Sequence, residues 1–133
     1  MDKNEMLRLM ENAREAKKNS YSPYSKFSVG AALLSKNGKI YTGCNVESAS
    51  YSPTCCAERV AIFSAVADGC RDFSAIAISG DSAPCMPCGV CRQVMSEFFS
   101  EETPIIFEND GGSVDFLTLS ELLPYSFKFK ENK

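Results

Sequence analysis

Apolar residues recur every three or four positions between residues 2 and 18, where Met6, Leu9, Met10, Ala13 and Ala16 fall on one helical face. This spacing predicts an amphipathic first helix with Asp2 as its cap. After the loop Tyr21-Ser22-Pro23-Tyr24-Ser25 the period changes. Phe27, Val29, Ala31 and Leu33 alternate, as the buried face of a strand does. Asn37-Gly38 is a hairpin turn signal, and residues 40–47 return as the partner strand. On that strand Asn45 and Glu47 stand two apart and share a face.

Helical spacing resumes over residues 56–68, with Val60, Ile62, Phe63, Val66 and Ala67 expected inward and Gly69 at the end. An apolar strand over 73–79 is followed by a helix over 88–99 and a strand over 104–107. Asp110-Gly111-Gly112 then turns the chain into a last strand at 113–117, and Ser120 opens a short helix that stops at Pro124. A strand–helix–strand unit of this length implies a right-handed parallel crossover. The expected fold class is therefore α/β, a three-layer α/β/α arrangement around a five-stranded mixed sheet, with residues 1–133 as a single domain.

Composition narrows the chemistry. Apolar residues make up 44% and charged residues 23%, the balance of a chain that buries a core. The net charge of −3 argues against a general affinity for phosphate backbones, which needs a basic face. No apolar run is long enough to span a bilayer, and the polar start Met1-Asp2-Lys3-Asn4-Glu5 does not read as a signal peptide, so a cytoplasmic location is expected. Seven cysteines without a secretory signal favour metal or catalytic thiols over disulfides. There is no histidine, which removes every His-based triad and zinc–His site.

Two stretches carry what remains. Ser52-Pro53-Thr54-Cys55-Cys56-Ala57-Glu58-Arg59-Val60 sets two thiols and a carboxylate at a helix start. Cys85-Met86-Pro87-Cys88-Gly89-Val90-Cys91-Arg92-Gln93 holds two overlapping Cys-x-x-Cys pairs at the mouth of another. A pair of that spacing reads as a metal ligand set, a redox dithiol or an inert buried pair. Convergence of the two helix starts would lend partial positive charge to thiolates there. Three thiolates on a zinc ion leave a fourth position for water, with a formal net charge of −1 that Arg59 can offset by hydrogen-bonding the sulfurs. Glu58, in the first turn, is then placed to accept a proton.

Cys56-Ala57-Glu58 followed by Pro87-Cys88-Gly89-Val90-Cys91 resembles the zinc nucleoside and nucleobase deaminase signature. Within that superfamily the chain is similar to the small, homotetrameric cytidine deaminases with three zinc-binding cysteines. The likeness runs nearly end to end, through Pro23-Tyr24-Ser25, Phe27, Val29-Gly30-Ala31-Ala32, Gly43-Cys44-Asn45-Val46-Glu47, Cys56-Ala57-Glu58-Arg59, Pro87-Cys88-Gly89, Cys91-Arg92-Gln93 and Leu122-Leu123-Pro124.

The resemblance implies a cytidine deaminase-like fold and one Zn²⁺ per subunit, on Cys56, Cys88 and Cys91, with Glu58 as proton shuttle. It implies that Asn45 and Glu47 grip the ribose 3′-hydroxyl, that Phe27 packs on the pyrimidine and that the Ala57 backbone meets its carbonyl. Ala49 and Tyr51 would reach a neighbouring subunit's ribose, and Phe127 a neighbour's base, in active sites shared across a homotetramer. The implied reaction is hydrolytic deamination of cytidine and 2′-deoxycytidine with release of ammonia, in pyrimidine salvage.

Two departures mark this chain. Ser48 stands where the family usually has asparagine, and Cys55 and Cys85 are extra thiols. Spacing alone does not choose among Cys85, Cys88 and Cys91; the proline before Cys88 and Gly89 after it favour the latter two. Cys44 and Cys70 read as small buried apolar residues. Alternatives are a deaminase of another amino-pyrimidine or of blasticidin S, a structural zinc-binding interaction module closed by Cys55 or Cys85, and a thiol oxidoreductase. A polynucleotide deaminase is disfavoured by the acidic balance.

Overall fold

The computed structural model describes residues 1–129. Helix α1 spans Lys3–Lys17 and starts as its sequence dictates: Asp2 accepts from the Glu5 N–H at 2.8 Å while Glu5 accepts from the Asp2 N–H at 3.0 Å. This reciprocal pair satisfies two of the donors that a helix start leaves open. Strands β1 (Val29–Ser35) and β2 (Ile40–Cys44) form the hairpin, with Gly38 at a φ of 94° in its turn. Helix α2 (Ala57–Ala67) leads to β3 (Phe73–Gly80), α3 (Gly89–Phe98), β4 (Pro104–Glu108), β5 (Val114–Thr118) and the single turn α4 (Leu119–Leu122).

The sheet order is β2-β1-β3-β4-β5. Only β3 and β4 pair in parallel, through the α3 crossover; the other pairings are antiparallel. The five-stranded mixed sheet between helical layers is the expected architecture. Strand β3 shows how the layers form: Ile76 and Ile78 point into the cluster under α2 and α3, while Ala75 and Ala77 face α1. Alternation in a doubly covered strand sends bulk to one side and small residues to the other. Two glycines let helices approach closely. A Cβ at Gly30 would lie 2.1 Å from the Ala13 carbonyl oxygen of α1, and one at Gly43 would lie 2.5 Å from both the Ala57 oxygen and the Ala61 nitrogen of α2.

Three expectations need correction. The second strand ends at Cys44, so Asn45 and Glu47 lie beyond it; the chain stays locally extended because Val46 bridges Tyr21 on one side and Cys55 on the other. Helix α2 buries Ala57, Glu58, Ala61, Ile62 and Ala65, whereas Phe63 is 48% exposed and Ala67 also lies outside. Close approach at Gly43 sets Ala57 and Ala61 against the sheet, with Ala65 and Ile62 buried beside them, while Phe63 is turned outward. Cys44 is half-buried, with its thiol pKa raised by burial, and Cys70 is also half-buried.

Candidate active site

Cys56 and Cys88 are the N-cap residues of α2 and α3, so two helix starts meet at one point. Cys91 lies in the first turn of α3, fully buried, and its N–H donates to the Cys88 sulfur at 3.4 Å. The three Sγ atoms all lie within 4.8 Å of one another, and Cys56 and Cys88 are 3.8 Å apart. Tetrahedral zinc with Zn–S bonds of about 2.3 Å separates its sulfurs by about 3.8 Å. The soft donors, their number and their spacing therefore fit Zn²⁺. Cys55 and Cys85 stand outside this cluster, so geometry makes the choice that spacing left open.

Charge is handled locally. Arg59 Nη2 lies 3.5 Å from Cys56 Sγ, and Arg59 Nε is buried with no partner among the described residues. A guanidinium held here is positioned to balance thiolates. The Cys56 thiol pKa is lowered to about 5, first by a hydrogen bond from Cys91 and then by one from Arg59. Cys91 is pushed far up, as the donor in that pair and by burial.

Glu58 is 4% exposed, and its carboxyl pKa is raised to about 7, first by burial and then by the charge on Cys56. A carboxyl poised near neutrality can both take and return a proton. It opens into a cavity of about 200 Å³ lined by Val29, Asn45, Glu47, Cys56, Ala57 and Cys85 among others. Cys85 is half-buried, its thiol raised to about 11 by burial.

At the opposite wall the two polar side chains are already partly engaged. Asn45 Nδ2 donates to the Phe27 carbonyl at 2.8 Å, and its Oδ1 accepts from the Val29 N–H at 2.9 Å and from the Ser20 hydroxyl. Glu47 Oε1 accepts from the Tyr24 and Ser25 N–H groups at 2.9 and 3.1 Å, and Oε2 accepts from the Ser25 hydroxyl. These bonds hold the carboxyl pKa of Glu47 below its ordinary value, the Ser25 hydroxyl first.

Phe27 is half-buried beside Gly80, where a Cβ would come 3.3 Å from its ring. Ala49 and Tyr51 do not line this cavity; both are exposed on the turn after Glu47, Tyr51 by 76% and at a φ of 65°. Phe127 is 65% exposed, its carbonyl accepting from Gln93 Nε2 at 3.1 Å and its ring set edge-on against Phe129. The sequence reading did not anticipate Val29, Thr54 and Met86 as lining residues, or Ser25 as the clasp of Glu47. Val29 was within reach, since it shares the alternating face with Phe27; the others sit in loops without periodicity.

The family model described as "Cytidine and deoxycytidylate deaminase zinc-binding region" matches residues 3–106. The chain is 47% identical over 121 residues to a cytidine deaminase of Sporosarcina psychrophila, covering 90% of this chain and 89% of the relative. It is 48% identical over 120 residues to one of Halalkalibacterium halodurans, covering 90% and 91%. Among solved structures, a cytidine deaminase from Burkholderia pseudomallei superposes with a TM-score of 0.86 at 46% identity, over 90% of this chain and 97% of that one.

Proposed function

We propose that this chain, which belongs to the cytidine and deoxycytidylate deaminase family, hydrolyses cytidine and 2′-deoxycytidine to uridine and 2′-deoxyuridine with release of ammonia. It is a zinc-dependent hydrolase. The observation that carries this reading is a single cavity bounded by Cys56 and Cys88 of the sulfur cluster, by the neutral-range carboxyl of Glu58, and by Asn45 with Glu47.

Cys56, Cys88 and Cys91 would hold the zinc, which supplies a Lewis acid that makes water a competent nucleophile near neutral pH. Glu58 takes the proton of the attacking water and delivers it to N3 of the pyrimidine as the C4–O bond forms. It then carries a proton to the exocyclic nitrogen as the C4–N bond breaks and ammonia leaves. One carboxyl can serve both transfers because burial raises its pKa to about 7. The start of α2 leaves N–H groups without helical partners, which lets the Ala57 backbone meet the pyrimidine carbonyl. Phe27 packs on the base.

Hydrogen-bond inventory supports the sugar role of the polar pair. An amide has two N–H donors and two acceptor sites, and each carboxylate oxygen accepts twice. After the internal bonds, Asn45 keeps one N–H and Glu47 Oε2 keeps one acceptor site. One hydroxyl that accepts from the first and donates to the second fills both, as the ribose 3′-hydroxyl would. Among the described residues no lysine or arginine lines the cavity, which favours a nucleoside over a nucleotide.

Residues 1–133 act as one catalytic domain in this reading, supported by a single sheet whose strands run from Val29 to Thr118. The apolar side chains left outside, among them Val46, Tyr51, Phe63 and Phe127, favour a homotetramer in which Ala49, Tyr51 and Phe127 complete neighbouring sites. Seven free cysteines suit a reducing cytoplasm, and among the described residues no helix is long and apolar enough to cross a membrane. Pyrimidine salvage is the corresponding use.

The test is ammonia release from cytidine, deoxycytidine, cytosine, cytidine monophosphate and blasticidin S, with zinc content measured alongside. Turnover of the two nucleosides by the wild type, and its near abolition in Glu58→Gln with zinc retained, is the expected result. A protein that holds zinc but turns over none of the panel is a structural zinc module.

A further inference from the structure

Residues 24–29, which carry Phe27, contain no regular structure until β1 begins, yet every backbone N–H in them is bound. Glu47 accepts from Tyr24 and Ser25; the Ser22 carbonyl accepts from Lys26 at 3.0 Å, and the Ser25 hydroxyl from Phe27 at 3.1 Å. Asn45 accepts from Val29. The remaining donor, the Ser28 N–H, goes to Asp81 Oδ2 at 2.7 Å, a residue 53 positions away.

Asp81 follows directly on β3, and its other oxygen lies 3.7 Å from Lys17 Nζ at the end of α1. Lys17 is itself fixed by donating to the Gly80 carbonyl at 3.0 Å. Gly80 is also where the Phe27 ring and Cys85 close in, since a Cβ there would meet Cys85 Sγ at 2.6 Å and Phe27 Cε1 at 3.3 Å. The backbone of this segment needs holding. Lys26 sits at a φ of 60°, in the left-handed region that a non-glycine residue keeps only where its surroundings impose it.

Asn45 and Glu47 reach the segment from the sugar side of the cavity; Asp81 reaches it from the opposite side, outside the cavity lining. We propose that Asp81, paired with Lys17, is a positioning residue for cytidine binding: by holding the Ser28 N–H from the end of β3 it sets the Phe27 ring against the pyrimidine. The inference rests on the cytidine reading and adds to it a residue that never touches substrate. Losing a hydrogen bond to a charged acceptor one residue from the ring loosens the segment that leads into the lining residue Val29, which weakens binding and leaves the sulfur cluster and Glu58 in place.

The test uses zinc-loaded wild type, Asp81→Ala and Asp81→Asn, the last retaining an acceptor oxygen. Amide exchange over residues 24–29 should quicken about tenfold in Asp81→Ala, with exchange in β3 and α2 unchanged, and should return toward wild type in Asp81→Asn. KM for cytidine should rise about fivefold to tenfold in Asp81→Ala with kcat within about twofold, and Asp81→Asn should recover most of the loss. In a Phe27→Ala background, adding Asp81→Ala should raise KM no further, since the two act through one contact. Unchanged exchange over 24–29, additive effects in the double variant, or a fall in kcat with KM unmoved overturns the role of Asp81 while wild-type turnover leaves the cytidine reading standing. A wild type inactive on cytidine sinks that reading and this role together.

Discussion

The Arg59 guanidinium lies 3.5 Å from the Cys56 sulfur, one helical turn along α2 from the residue that caps that helix. Three thiolates on a divalent ion leave an excess negative charge, and this is the cation placed to offset it. Cys56 in turn pushes the guanidinium pKa upward by accepting its hydrogen bond. Arg59→Gln should therefore weaken zinc retention about tenfold to a hundredfold, read by competition with a chromogenic chelator, and should lower kcat. Unaltered zinc affinity would assign the arginine to packing.

The ligand set separates sharply by substitution. Cys55→Ser and Cys85→Ser should each retain one zinc per chain by atomic absorption, since neither sulfur belongs to the cluster. Cys88→Ser or Cys91→Ser should lose most of the metal and, with it, nearly all turnover. Loss of zinc in Cys85→Ser would redraw the site.

If the spare donor on Asn45 and the spare acceptor on Glu47 take the ribose 3′-hydroxyl, as proposed, that group is the decisive one of the sugar. With 3′-deoxycytidine both are left unpaired, and kcat/KM should fall about tenfold to a hundredfold against cytidine, while 2′-deoxycytidine stays a good substrate. Equal efficiency on the two deoxy isomers would contradict the assignment.

Away from the site, the Tyr41 hydroxyl donates to Asp68 at 2.5 Å and Lys39 reaches the same oxygen at 2.9 Å, joining β2 to the end of α2. The hydrogen bond to Asp68 raises the Tyr41 phenol above 10.0 and the Lys39 ammonium above 10.5. Both groups hold protons more tightly in the folded state. Their contribution is therefore fully present below those ordinary values and is lost as pH rises through the folded ones. Tyr41→Phe should be less stable at neutral pH, and its urea midpoint should decline less steeply than wild type above about pH 10.

Legibility followed the physics of each feature. Helix starts and three-residue spacing are local properties and marked two cysteine-bearing segments, but only the family signature singled out Cys56, Cys88 and Cys91, the three that cluster; the shared face of Asn45 and Glu47 could be read because alternation persists in extended chain even past Cys44. The face of α2 could not be read. Hydrophobicity alone points Phe63 inward, but the buried face is the one that packs closely over Gly43 of β2, with Ala57, Ala61 and Ile62 on it, and that contact between strand and helix leaves no mark in the local periodicity of α2. Asp81 left no trace because it grips a backbone N–H, and backbone donors carry no residue code.

Two helices that begin on cysteines of one cluster have a thermodynamic consequence for how the chain matures. The cluster takes Cys56 from one segment and Cys88 with Cys91 from the other, Cys85 standing outside it, so tight metal capture demands that α2 and α3 have both docked on the sheet; zinc loading thus acts as a checkpoint on completed tertiary structure. By the same linkage the ion adds to the unfolding free energy in proportion to the logarithm of its free concentration, so scarcity of metal would cost the cell folded protein as well as turnover.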